Sequence, residues 1–158
     1  MEDNRRDFDR AFDFTVGVEG GYGNDPDDPG GETNWGISKR AHPNVDIKNL
    51  TKEEAKEIYW EEYWKLAGCS NLEWPINMLL FDNAVNAGVS AAQSNWKEWG
   101  TDKGSVDKRV VYLAAERLED YCDIISNATF KCPTCGLPRK IKYLKGWVLR
   151  VVALLRRM

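Results

Sequence analysis

With 158 residues, 42% of them hydrophobic and 30% charged, the chain can bury one sizeable core and is too evenly mixed to be disordered or fibrous. Its longest apolar runs, Met78 to Phe81 and Trp147 to Leu155, are short or broken by Arg150, below the ~20 residues of a membrane span. The net charge of −3 conceals a split: no acidic residue follows Asp123, so 14 of the 22 basic residues face all 25 acidic ones before it, a net of −11, and eight basic residues lie beyond.

The charged start, Met1 to Asp7, leads into no apolar run, so neither a secretory signal nor a signal anchor is expected and synthesis in the cytoplasm follows. Phe8, Ala11, Phe12, Thr15 and Val16 recur at spacings of three and four, which predicts an amphipathic helix over 7–18. Glu19 falls next on that stripe. A carboxylate where a core-facing stripe ends is partly desolvated, which favours the neutral acid and raises its pKa, as a general acid requires.

Between Glu19 and Ile37 the chain holds six glycines, two prolines and five carboxylates: Glu19, Asp25, Asp27, Asp28 and Glu32. Gly and Pro exclude a regular element there. Like charges so crowded repel unless something uses them, and a loop aspartate kept wet stays ionised while Glu19 keeps its proton. Two carboxylates in contrasting surroundings are the equipment of glycoside hydrolysis. The alternatives are a plain acidic surface loop and a calcium loop, the latter opposed by Pro29 at the third of the alternating ligand positions.

The order Glu19-Gly20-Gly21-Tyr22, Asn24-Asp25-Pro26, Asp28-Pro29-Gly30-Gly31, Thr33 and Trp35-Gly36-Ile37-Ser38 resembles the signature of glycoside hydrolase family 108, N-acetylmuramidases of phages and bacteria. The resemblance implies an all-α, lysozyme-like domain with its catalytic loop after the first helix. It also implies Glu19 as acid, a glycan groove involving Tyr22, Asn24 and Trp35, peptidoglycan strands rather than nucleic acid as partner, a monomer, and no cofactor. By similarity to phage-type lysozymes, Asp28 and Thr33 share the cleft with Glu19. Thr33 stands one residue early for that pattern, which leaves Asp25 in competition for the second role.

Further along, Ser38 to His42 reads as a helical turn ended by Pro43, with Trp35 beneath it. His42, the sole histidine, reads as structural. Thr51-Lys52-Glu53-Glu54 is a capping box opening a helix to about Leu66, with Ala55, Ile58, Tyr59, Glu62 and Tyr63 at helical spacing beside Trp60 and Trp64. Most of these rings should be core, with one or two available to a glycan. Pro75 at a first-turn position opens a nearly all-apolar helix containing Asp82, Asn83 and Asn86 and ended by Gly88. Buried polar groups need partners or a ligand, and this run resembles the family helix whose polar residues face the cleft, so Asn83 and Asn86 join the substrate-binding candidates.

Ser90 can cap a helix through Trp99; Ser105 or Val106 starts another to about Ile125; a last one spans about 139–155. Residues 143–151 resemble the family's C-terminal, peptidoglycan-binding part, which divides the chain into a catalytic part, 1–100, and a C-terminal part, 101–158, packed with it as one unit. Its basic residues fit an anionic wall or membrane surface, or else a solvated face on an acidic body. Cys132 and Cys135 form a CxxC that departs from the family pattern; it is half a zinc site, with Cys122 as a further ligand, or a hairpin of free thiols, and no metal is required by the chemistry. For a wall hydrolase without a leader, a holin or secretion channel must supply access to the periplasm.

Overall fold

The computed structural model describes residues 2–16, 21–24, 31–97, 105–126, 148–149, 151–153 and 155–156. Two compact units result, Met1–Ala92 and Gln93–Met158. The described elements are helical apart from one two-stranded sheet, in agreement with the all-α, lysozyme-like reading.

In the first unit, α1 (Glu2–Thr15) buries Phe8, Ala11 and Phe12 almost completely, the stripe read from the sequence. It begins five residues before the expected Asp7, because Asn4 already has tertiary partners: it accepts from Trp64 Nε1 at 3.0 Å and donates to Ser70 O. α2 (Lys52–Tyr59) starts at the full capping box, in which Glu54 N donates to Thr51 Oγ1 and Thr51 N donates to Glu54 Oε2. It does not continue as a plain α-helix to Leu66. Residues Trp60–Lys65 form a wider π turn, and the buried positions run Ala55, Tyr59, Trp64, spaced by four and then five. That extra residue puts Trp64 in the core and leaves Glu62, which the 3.6-residue pattern had placed on the apolar side, exposed beside His42 at 3.3 Å.

After a 3₁₀ turn (Cys69–Asn71) and a cis Trp74–Pro75 bond comes α3 (Ile76–Ala87). Pro75 sits one position ahead of the first helical turn, and the helix is buried from Ile76 through Ala84. α1 packs on α3, and Phe8 is the hub: its ring meets Trp60, Trp64 and Phe81 edge-on with centroids 5.1–5.7 Å apart. Edge-to-face packing suits the ring quadrupoles and adds about 1 kcal/mol per pair to burial. Gly88, at φ +95°, ends α3, and α4 (Val89–Asn95) starts at once, so Ser90 lies inside this helix instead of capping it.

In the second unit α5 (Val106–Ser126) begins after Ser105, whose Oγ accepts from Lys108 N at 3.4 Å. Ala114 and Val151 are buried together with Leu118 against them. Most of the expected 139–155 helix lies outside the described residues; 148–149, 151–153 and 155 are helical.

Candidate active site

The glycine-rich stretch is pinned at its base by backbone. Gly23 and Thr33 exchange two N–H···O bonds, of 2.7 and 2.8 Å, so the described ends of the acidic stretch are joined at a β-bridge. Beyond it, β1 (Thr33–Asn34) and β2 (Ile37–Ser38) make an antiparallel hairpin with Thr33 opposite Ser38 and Asn34 opposite Ile37. The connecting Trp35 and Gly36 both have positive φ, +50° and +75°, the pattern of a two-residue turn whose twist matches its strands. A bulky residue in that region is costly, so its surroundings must hold it there. They do: the buried Tyr59 donates its hydroxyl to Trp35 O at 3.2 Å, and a Cβ on Gly36 would stand 2.6 Å from that Tyr59 hydroxyl oxygen. Burial pushes the Tyr59 phenol far above its usual range, so it remains a donor.

Asn34 fastens the hairpin to the body. It is buried, and its Nδ2 donates to Ile47 O at 3.1 Å and Leu50 O at 3.2 Å. The expected turn after the hairpin is present as a single helical bond, His42 N to Ser38 O at 3.0 Å, while Trp35 stands half-buried at the hairpin tip.

On the loop itself, Tyr22 is exposed and donates to Glu32 Oε1 at 3.2 Å; desolvation and the adjoining carboxylate raise its pKa. Asn24 is exposed, and Thr33 spends its hydroxyl locally, donating to Gly31 O at 3.3 Å. Glu19, Asp25, Asp27 and Asp28 lie outside the described residues. What is described on either side is firmly built. Thr15, at the end of α1, donates to Asp82 Oδ1 at 3.1 Å across 67 residues of sequence, which fixes the helix end from which the loop departs.

Asp82 belongs to the polar row of α3. It is fully buried, Asn83 is 4% exposed with its Oδ1 buried and without a hydrogen-bond partner among the described residues, and Asn86 is exposed and donates back to Asp82 O at 2.7 Å. The row thus carries a buried carboxylate and an unsatisfied acceptor beside the end of α1. Sequence reasoning saw Thr15 only as a member of the stripe and Tyr59 only as a ring at helical spacing, and passed over Asn34. An aspartate in an otherwise apolar helix was the one signal that pointed to the Thr15–Asp82 link.

Among the described residues no group of three or more His, Cys, Asp and Glu is placed to hold a metal ion. Cys122 is exposed, Cys132 and Cys135 lie outside the described residues, and the buried Cys69 has its thiol pushed well up by desolvation. No described helix is long and apolar enough to cross a membrane.

Residues 12–88 match the family model Glycosyl hydrolase 108. The matched segment contains Glu19, the loop, the hairpin and the polar row of α3. Among solved structures, that of Brucella abortus SagA is similar, with a TM-score of 0.73 and 24% identity over 97% of this chain and 94% of that one, a likeness of fold. No curated protein matches the chain.

Proposed function

We propose, from the premise that residues 12–88 are a glycosyl hydrolase 108 segment and the protein therefore a glycoside hydrolase, that it is an N-acetylmuramidase. It hydrolyses the β-1,4 bond between N-acetylmuramic acid and N-acetylglucosamine in peptidoglycan. Glu19 is the general acid that protonates the leaving oxygen, and an aspartate of the 25–28 loop is the base or charge stabiliser. The observation that carries the reading is the family match across the stretch where Glu19 follows the apolar stripe of α1 and the acidic loop closes on the Gly23–Thr33 bridge.

The support is physical as well as comparative. Acid catalysis contributes about 10²–10⁴-fold only when the acid is held within hydrogen-bond reach of the leaving group, which needs a rigid platform. The Thr15–Asp82 bond and the Asn34 and Tyr59 clamps supply one on both sides of the loop. Asp25, Asp28 and Thr33 remain the residues from which the second group is drawn. A separation of about 5–5.5 Å between the carboxyl groups would give retention, and one of about 6.5–9.5 Å inversion. The role we assign is that of an endolysin, made in the cytoplasm and reaching murein through a holin or secretion channel, with the basic 124–158 segment against the anionic wall or membrane surface.

The test is loss of turbidity of purified murein with wild type and Glu19→Gln, the products being analysed by mass. The expected result is lysis with reducing muramic acid ends and a fall of about 10²–10⁴-fold in Glu19→Gln at unchanged fold. Anhydro ends would instead make it a transglycosylase. Binding without lysis, indifferent to the substitution, would leave a wall-binding module.

A further inference from the structure

A cleft of about 540 Å³ opens beside the first half of α1, away from the acidic loop in sequence, between Arg6, Asp7 and Arg10 on one side and Leu72, Glu73 and Trp74 on the other. Its wall is fixed from behind: the buried Asn77 donates through Nδ2 to Asp7 Oδ2 at 3.0 Å and to Leu72 O at 3.2 Å. Arg10 is the unusual member. Its guanidinium lies 3.8 Å over the Trp74 ring, its side chain is 51% exposed, and its nearest carboxylate oxygen, Asp7 Oδ1, stands 3.9 Å away, beyond hydrogen-bond reach. Asp7 is therefore an ion-pair partner of Arg10 without being an acceptor in its hydrogen-bond shell.

A guanidinium stacked flat on an indole keeps its charge and loses its freedom to wander, while its N–H edge stays open. That edge matches the two oxygens of a carboxylate, a geometry that an ammonium cannot reproduce. Leu72 and the rim of the half-buried Trp74 add an apolar surface beside it.

We propose that this cleft is a carboxylate-binding site, with Arg10 as the fork and Trp74 as its support, for an acidic group that carries a small apolar neighbour. If the muramidase reading holds, on which the source of the ligand rests, murein offers two such groups: the carboxylates of its stem peptide and the lactyl carboxylate of unsubstituted muramic acid. The site gives the enzyme a second hold on its substrate, independent of the bond being cut.

The experiment is calorimetric titration of the full chain with a synthetic stem peptide, with N-acetylmuramic acid, and with the amidated form of each. None carries an inter-sugar bond, so failure of the muramidase reading leaves this readout untouched. The expected result is that one acid binds, that its amide binds about tenfold more weakly, and that Arg10→Gln weakens the acid by the same factor, as loss of a charge-assisted pair at a half-exposed site would give. Arg10→Lys, which keeps the charge without the fork, falls between. Whichever acid binds identifies the source. Equal binding of acid and amide, affinity indifferent to Arg10→Gln, or no binding of either acid at millimolar concentration would overturn the proposal. The amide comparison leaves the protein unaltered, so it decides the matter even if the Arg10 variants fold poorly.

Discussion

The hairpin at 33–38 and the polar row of α3 face the same difficulty, polar groups taken out of water, and meet it in opposite ways. Asn34 satisfies its buried amide with two backbone carbonyls, and Tyr59 satisfies Trp35 O. Asn83, as deeply buried, has a carbonyl oxygen with no partner among the described residues. Buried polar atoms are nearly always paired, so a satisfied one reads as architecture and an unsatisfied one asks for a function. Natural sequences break local consistency mainly where something other than stability is selected.

The contrast is broken most directly at Asn34. Asn34→Ala withdraws both donors and leaves Leu50 O buried without its bond, so unfolding in urea should show a loss of about 2–3 kcal/mol with the slope unchanged. Activity should fall only as the folded population falls. A variant of full stability would mean that water replaces the amide and the hairpin is not anchored there.

Asn83→Leu sharpens it from the other side. Removing an unsatisfied acceptor in favour of an apolar group of similar shape should leave stability unchanged or raise it by up to about 1 kcal/mol. Lysis per folded molecule should drop by roughly tenfold, the equivalent of about 1.4 kcal/mol of lost positioning. A loss of stability as large as that at Asn34, with activity per folded molecule intact, would make Asn83 one more structural amide.

The same division governs what could be read in advance. The stripe of α1, the capping box of α2, the buried α3 with its Gly88 stop and the start of α5 are local patterns, and each is present. The stretch from Glu19 to Ile37 announced a loop because glycine at positive φ leaves a mark in sequence, but not the hairpin at its end, where Trp35 takes a positive φ that its residue type does not advertise. The π turn did not announce itself, since Ala55, Ile58 and Tyr59 fit a 3.6-residue period and only the burial of Trp64 reveals the extra residue. Thr15–Asp82, Asn34–Leu50 and Arg10–Trp74 are tertiary pairings, two of them joining positions more than 60 residues apart, and no local preference encodes them. Among the candidate carboxylates, Glu19, Asp25 and Asp28 are legible in the sequence as chemistry only.

The smallest expected effect lies where polar satisfaction is complete and wholly exposed, at the cap of α2. Backbone and side-chain hydrogen bonds from Thr51 hold the Glu54 carboxyl below its ordinary value of 4.5. A folded-state pKa below the unfolded one means that the unfolded chain binds the proton more readily. The contribution is therefore fully present above the ordinary value and is lost as pH falls through the lowered one. Glu54→Gln keeps the capping geometry in kind but has nothing to titrate. Urea midpoints of the two proteins, measured between pH 6 and pH 3 (about the range in which carboxylates titrate), should converge as the pH falls, the wild type losing this small advantage. Midpoints that stay parallel across that range would show that the cap acts through hydrogen bonding alone.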